Sequence, residues 1–172
     1  MKLPQITIYQ GVPNTRPLDR RDRGGRPIMK LVEPSPLGIN GVVHWAPARF
    51  EFDGSSSPSI TWPLVLPNDP RYLLAALWHD YAYACQLWPR EYADLLFLAI
   101  MIERGVPVWL RQSKYQSVRF CGGKHYRRNP PEEIAWNRSL GGIYAPSTQS
   151  PLVEAWEPVV ELTVPPWEKK HG

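Results

Sequence analysis

His79, Asp80 and Tyr83 fall within one stretch, and Asp94 follows eleven residues after Tyr83. Tyr72, Leu73, Ala76, Leu77, Tyr83, Ala84 and Leu87 recur at helical spacing. Asn68 or Asp69 can cap the helix and Pro70 suits its first turn, so the pattern predicts a helix over 69–87. On it His79 and Tyr83 are four residues apart and share a face, with Asp80 one position round. Asp94 lies on a second predicted helix, close to the turn between them. At 1.5 Å per residue His79 stands ~12 Å from the turn and Asp94 ~8 Å, so a single turn of stagger brings them level. An Asp facing a His across such a pair fixes the tautomer and raises the basicity needed of a general base. Asp80 is then placed to hold a hard cation with loop oxygens. The same pair also has a plainer use, as a buried hydrogen bond that sets helix register.

A loop upstream could complete a site. Phe52-Asp53-Gly54-Ser55-Ser56-Ser57-Pro58 offers a carboxylate, a glycine and hydroxyls, which suit a cation or anion cradle. An Asx or Ser turn without a ligand uses the same residues. Asp53 is the candidate cation ligand beside Asp80, and Gly54, Ser56 and Trp62 are the residues expected to shape the site.

The surrounding elements read as follows. Gln5 to Tyr9 is a short strand, and Asn14 to Arg26, with five arginines, two aspartates, two glycines and no apolar period, is expected to be an exposed loop. Ile28 to Val32, Gly41 to Trp45 and Arg49 to Phe52 are short β-branched or aromatic runs with Pro and Gly punctuation, the pattern of a small antiparallel sheet. Asp53 to Pro67 is too broken by Ser and Pro for a regular element. Pro89 restarts a helix that continues through Leu95, Leu96, Leu98, Ala99, Ile100 and Ile102 to Arg104, with Gly105 as its C-terminal cap. So short a turn makes the two helices antiparallel. A third helix is expected from Val108 to Phe120, ending at Gly122 and Gly123, and a short fourth from Pro130 to Leu140. From Ile143 to Gly172 the chain reads as a Pro-rich arm with one edge strand over Val159 to Val164.

The fold class is therefore α+β: a small antiparallel sheet, an antiparallel helix pair, one or two further helices, and long Pro-rich loops and arms. A chain of 172 residues, 43% apolar and 21% charged, fits a single domain over 1–172 with a packed core at about 40–125. Residues 1–40 add an N-terminal strand and an Arg-rich loop, and 143–172 the C-terminal arm. Twenty prolines, against a usual ~5%, account for the irregular connections. The net charge of +4 is too small to imply nucleic acid. Two cysteines, Cys85 and Cys121, permit a reducing compartment. No signal peptide and no 18-residue apolar run are apparent, so a soluble protein without an export address is expected.

The blocks Phe52-Asp53-Gly54-Ser55-Ser56-Ser57-Pro58, Trp62-Pro63-Leu64, Ala75-Ala76-Leu77-Trp78-His79-Asp80-Tyr81-Ala82-Tyr83 and Ala93-Asp94-Leu95-Leu96-Phe97 resemble, in this order, domain-of-unknown-function family 1353. The resemblance covers about Val43 to Gly123, and Asp53, Ser56 and Pro58 are the loop positions that match. It implies a source among tailed bacteriophages and prophages: a protein made in the bacterial host cytoplasm and able to join the virion. A second resemblance is chemical. His79-Asp80-x-x-Tyr83 with Asp94 on an antiparallel helix is similar to the active site of secreted calcium-dependent phospholipases. That likeness implies His79 as base, Asp80 as Ca2+ ligand, and Tyr83 and Asp94 as supports. The disulfide framework and Cys-rich calcium loop of those enzymes are absent, so the Asp53 loop would have to substitute.

Other motifs carry less. The serines at 55–57 lack a Gly-x-Ser-x-Gly elbow, and Cys121 with His125 lacks further partners for zinc. The eight tryptophans suit core and interface positions. Arg20, Arg21, Arg23 and Arg26, with Lys124, Arg127 and Arg128, could meet phosphates or simply face water. Two functions follow. One is a metal-assisted hydrolase acting on an envelope lipid or other ester. The other is a non-catalytic virion, tail or assembly protein whose arms bind neighbouring virion proteins and whose His-Asp cluster is structural.

Overall fold

A computed structural model of the chain describes residues 2–21, 27–53, 70–127 and 129–144. Among them are two three-stranded antiparallel sheets and four helices, an α+β architecture. The first sheet has β1 (Ile6–Ile8), β4 (Ser35–Ile39) and β5 (Val42–Ala46) in the order β1-β4-β5. The β4–β5 hairpin turns on Asn40 and Gly41, both at positive φ (51° and 82°), and Ile39 pairs with Val42. Asn-Gly suits such a turn because both central residues adopt that conformation at low cost. β4 is a strand that the sequence pattern does not announce, since Pro36 and Gly38 break it. Pro36 is tolerated because β1 pairs only with Leu37 to Ile39 and leaves its flank open. Gly38 is needed, since a Cβ there would stand 2.8 Å from the Thr7 side chain.

The second sheet is β2 (Thr15–Arg21), β3 (Pro27–Leu31) and β6 (Glu51–Phe52), ordered β2-β3-β6. This corrects the expectation of a loop over Asn14 to Arg26, because 15–21 forms a strand. β2 is an edge strand with most of its side chains exposed, so it has no buried face to impose an apolar alternation. Its backbone pairs with β3 (Arg16 with Lys30, Pro17 with Met29), and Glu51 of β6 draws the Arg20 guanidinium and the Lys30 ammonium across the strands.

The helices are α1 (Pro70–Cys85), α2 (Arg90–Glu103), α3 (Val108–Tyr126) and α4 (Pro131–Tyr144). Twelve of the sixteen residues of α1 are buried, as expected of a helix enclosed on several sides. It packs on α2, α3, α4 and strands β5 and β6. Leu31, Leu37, Ile39, Phe50, Phe52, Tyr72, Leu77, Trp78, Leu96 and Ile100 form one core shared by sheets and helices. Gly105, at φ 66°, caps α2 as the sequence indicates, with Val106 N–H donating to Met101 C=O and Gly105 N–H to Ile102 C=O. α3 departs from expectation by running through Gly122 and Gly123 to Tyr126, and α4 continues past Gly141 to Tyr144. The rest of the expected arm, 145–172, lies outside the described residues. Among the described residues no helix is long and apolar enough to cross a membrane.

Candidate functional site

The turn at Gln86 to Pro89 folds α2 back along α1, so that Asp94 meets His79 and Tyr83. His79 Nε2 lies 3.1 Å from Asp94 Oδ1, and the Tyr83 hydroxyl donates to the same oxygen at 2.6 Å. The geometry expected of His79 and Asp94 is thus present. The four-residue spacing on α1 also brings the two rings into tilted contact, with centroids 4.1 Å apart, and Phe97 packs on the imidazole at 5.1 Å. Asp94 is fully buried and His79 nearly so.

The second carboxylate oxygen is held by cations. Arg119 on α3 donates through Nη1 to Asp94 Oδ2 at 2.9 Å, and Arg90 Nε lies 3.6 Å from the same atom. Three helices therefore converge on one carboxylate. Neither arginine is among the site residues expected from the sequence, although the i,i+4 spacing of Arg90 and Asp94 on the first turn of α2 is a signal that could have found the first. Arg119, 25 residues away, carries no local signal.

Gly122 and Gly123 explain themselves here. A Cβ on Gly122 would stand 2.5 Å from the Tyr83 hydroxyl, and one on Gly123 2.5 Å from Arg90 Nη1. Their missing side chains leave room for the groups that converge on Asp94. That packing gain outweighs the ~1 kcal/mol per residue that glycine costs inside a helix, which is why α3 continues where the sequence suggests a stop. Arg90 also donates to the Arg119 carbonyl at 2.7 Å, tying the start of α2 to α3.

Electrostatics follow from this packing. Burial pulls the His79 pKa down, but hydrogen bonds and charge from Asp80 and Asp94 outweigh it, and the net shift is upward. Burial pushes Asp94 up, and the donors His79, Tyr83 and Arg119 reverse this, leaving it below the usual carboxylate range. Burial and the Asp94 charge drive the Tyr83 hydroxyl far up, so it stays a neutral donor. The arrangement therefore keeps Asp94 ionised and directs His79 Nε2 at it, which leaves Nδ1 as the second ring nitrogen. Nδ1 faces Asp80, whose Oδ1 is 3.6 Å away on a partly exposed side chain.

Asp53 follows β6 and is partly buried. Gly54, Ser56 and Trp62 lie outside the described residues. Among the described residues no group of three or more His, Cys, Asp or Glu side chains is arranged to hold a metal ion. Calcium takes six to eight oxygens, so the described residues do not by themselves make its site.

The family model of a protein of unknown function, DUF1353, matches residues 31–118, just over half of the chain. The chain belongs to this family. The DUF1353 match contains Asp53, His79, Asp80, Tyr83 and Asp94 and stops one residue short of Arg119. No curated protein and no solved structure matches the chain.

Proposed function

We propose that this DUF1353 member is a bacteriophage-type ester hydrolase in which His79 is the general base, with an envelope lipid or another ester as substrate. The observation that carries the reading is the division of labour on the imidazole: Asp94 engages Nε2, and Nδ1 is on the side of the partly exposed Asp80. With Nε2–H donating to Asp94, Nδ1 takes a proton from a water molecule as its oxygen bonds to the ester carbonyl carbon. The tetrahedral intermediate then collapses, the bond to the leaving oxygen breaks, and Nδ1 returns the proton to that oxygen. Acid and alcohol are the products. Tyr83 and Arg119 are positioning residues, since each holds Asp94 rather than the reacting atoms. A calcium-like cation at Asp80, completed by oxygens of the Asp53 loop, would supply charge stabilisation to the carbonyl oxygen when bound.

Only neutral His79 can accept the proton. Because its pKa is raised, kcat/KM should climb with pH through a value above the ordinary histidine one. The test is hydrolysis of an ester and phospholipid panel, with and without millimolar Ca2+, by wild type, His79→Gln, Asp80→Asn and Asp94→Asn, beside melting curves and calcium calorimetry. His79→Gln should fold and lose turnover. No hydrolysis by wild type over the panel would refute the reading.

One observation favours a second reading, a non-catalytic virion, tail or assembly protein: donors on α1 and α3 satisfy a carboxylate of α2 that has no exposed surface. There the cluster is a structural knot, and His79→Gln, Asp80→Asn and Asp94→Asn would each lower the melting temperature and impair assembly.

A further inference from the structure

α3 presents an outward face that the Asp94 cluster does not use. Trp109 is 61% exposed and Phe120 84%, with Val108 beside Trp109 also 61% exposed. Eleven residues separate the two aromatic rings. At 3.6 residues per turn this places them within about 20° of one line along the helix, roughly 16 Å apart. Between them the exposed positions are the uncharged Gln112, Ser113 and Gln116.

The helix carries no Asp or Glu. Of its cations, Lys114 is turned inward over the Tyr72 ring and Arg119 holds Asp94. Lys124 and His125 in the last turn and Arg127 just beyond it are exposed. The carboxylates around it belong to neighbouring helices: Glu91 of α2 acts on Arg119, and Glu103, Glu132 and Glu133 lie on α2 and α4.

We propose that this face of α3 docks on an anionic phospholipid surface, with Trp109 and Phe120 entering the headgroup layer and Lys124 and Arg127 meeting lipid phosphates. Two aromatics separated by neutral polar residues do not make the continuous apolar centre of a protein interface, whereas an indole and a phenyl ring in line with cations at one end of the helix suit the boundary between headgroups and acyl chains. A second copy on this face would bring cation against cation, and an anionic membrane brings the complementary charge. The consequence for substrate, a lipid ester presented at a membrane, rests on the hydrolase reading above; the binding itself does not.

The experiment is co-sedimentation of the full chain with vesicles of phosphatidylglycerol and phosphatidylcholine, against phosphatidylcholine alone, for wild type, Trp109→Ser/Phe120→Ser and Lys124→Glu. Wild type should bind the anionic vesicles, more weakly at high salt. The double variant should bind at least tenfold less while melting within about 2 °C of wild type, as surface substitutions do. Three results would overturn the proposal: no wild-type binding, unchanged binding by the double variant, or a wild-type dimer that the double variant abolishes without any vesicle binding. Vesicle binding without hydrolysis would sink the enzyme reading alone, and hydrolysis of a soluble ester without vesicle binding would sink this one alone.

Discussion

Replacing Asp94 by Asn tests whether the convergence on this carboxylate matters, because Asn has the same shape and opens no cavity. Asp94 accepts from His79, Tyr83 and Arg119, with Arg90 Nε 3.6 Å away. Removing one partner of a buried ion pair costs about 3–5 kcal/mol. The Arg119 and Arg90 side chains are 31% and 23% exposed and can recover some hydration, which lowers the cost. His79 and Tyr83 cannot, and the new amide would set its NH2 against a guanidinium or an O–H donor. A loss of roughly 2–4 kcal/mol is therefore expected, combining the reduced ion-pair figure with hydrogen bonds to a charged acceptor. At about 2–4 °C per kcal/mol for a chain of this size, melting should fall by about 10 °C. Circular dichroism melts at pH 6 measure it, with Glu103→Gln, an exposed carboxylate at the end of α2, as a control expected within about 2 °C. A fall of less than about 2 °C for Asp94→Asn would show that the three-helix convergence carries no stability.

The pH dependence has a definite sign. Asp94 is lowered and so stabilises the fold above the ordinary carboxylate value of 3.8, the contribution being lost as pH falls through its lower folded value. His79 is raised, so its contribution is complete below 6.5 and is lost as pH rises through its higher folded value. The melting gap between wild type and Asp94→Asn should thus be widest between about pH 4 and 6.5 and close below that window. Gly122→Ala should displace the Tyr83 hydroxyl and cost about 1–3 kcal/mol, as overpacking does, although alanine is the better helix former; a rise in melting temperature would show that Tyr83 is not held there. A thiol reagent should label exposed Cys121 in the native protein and leave Cys85 unmodified until denaturant is added, since burial pushes the Cys85 thiol up to about 12; mass spectrometry of the native digest reads this directly.

Composition and local pattern determined much of this protein without any fold. The apolar spacing of 69–87 and 89–104 marked α1 and α2, Gly105 marked the turn after α2, and residues four apart put His79 and Tyr83 on one face. Counting from the turn even levelled Asp94 with His79, because short connections leave two helices little choice of register. What escaped was whatever depends on contacts distant in sequence. β2 has no apolar signature, since an edge strand is specified by its partner's backbone. β4 is hidden by a proline and a glycine that are acceptable only because of where β1 ends and how near Thr7 lies. Gly122 and Gly123 read as a helix stop when taken alone, yet in the folded chain they admit the Tyr83 hydroxyl and the Arg90 guanidinium. Arg119 joins Asp94 from another helix, and nothing within a few residues of either announces it. A sequence carries local conformational preference directly, whereas the guanidinium that helps hold Asp94 ionised, that of Arg119, is one that only tertiary packing brings within 3 Å of it.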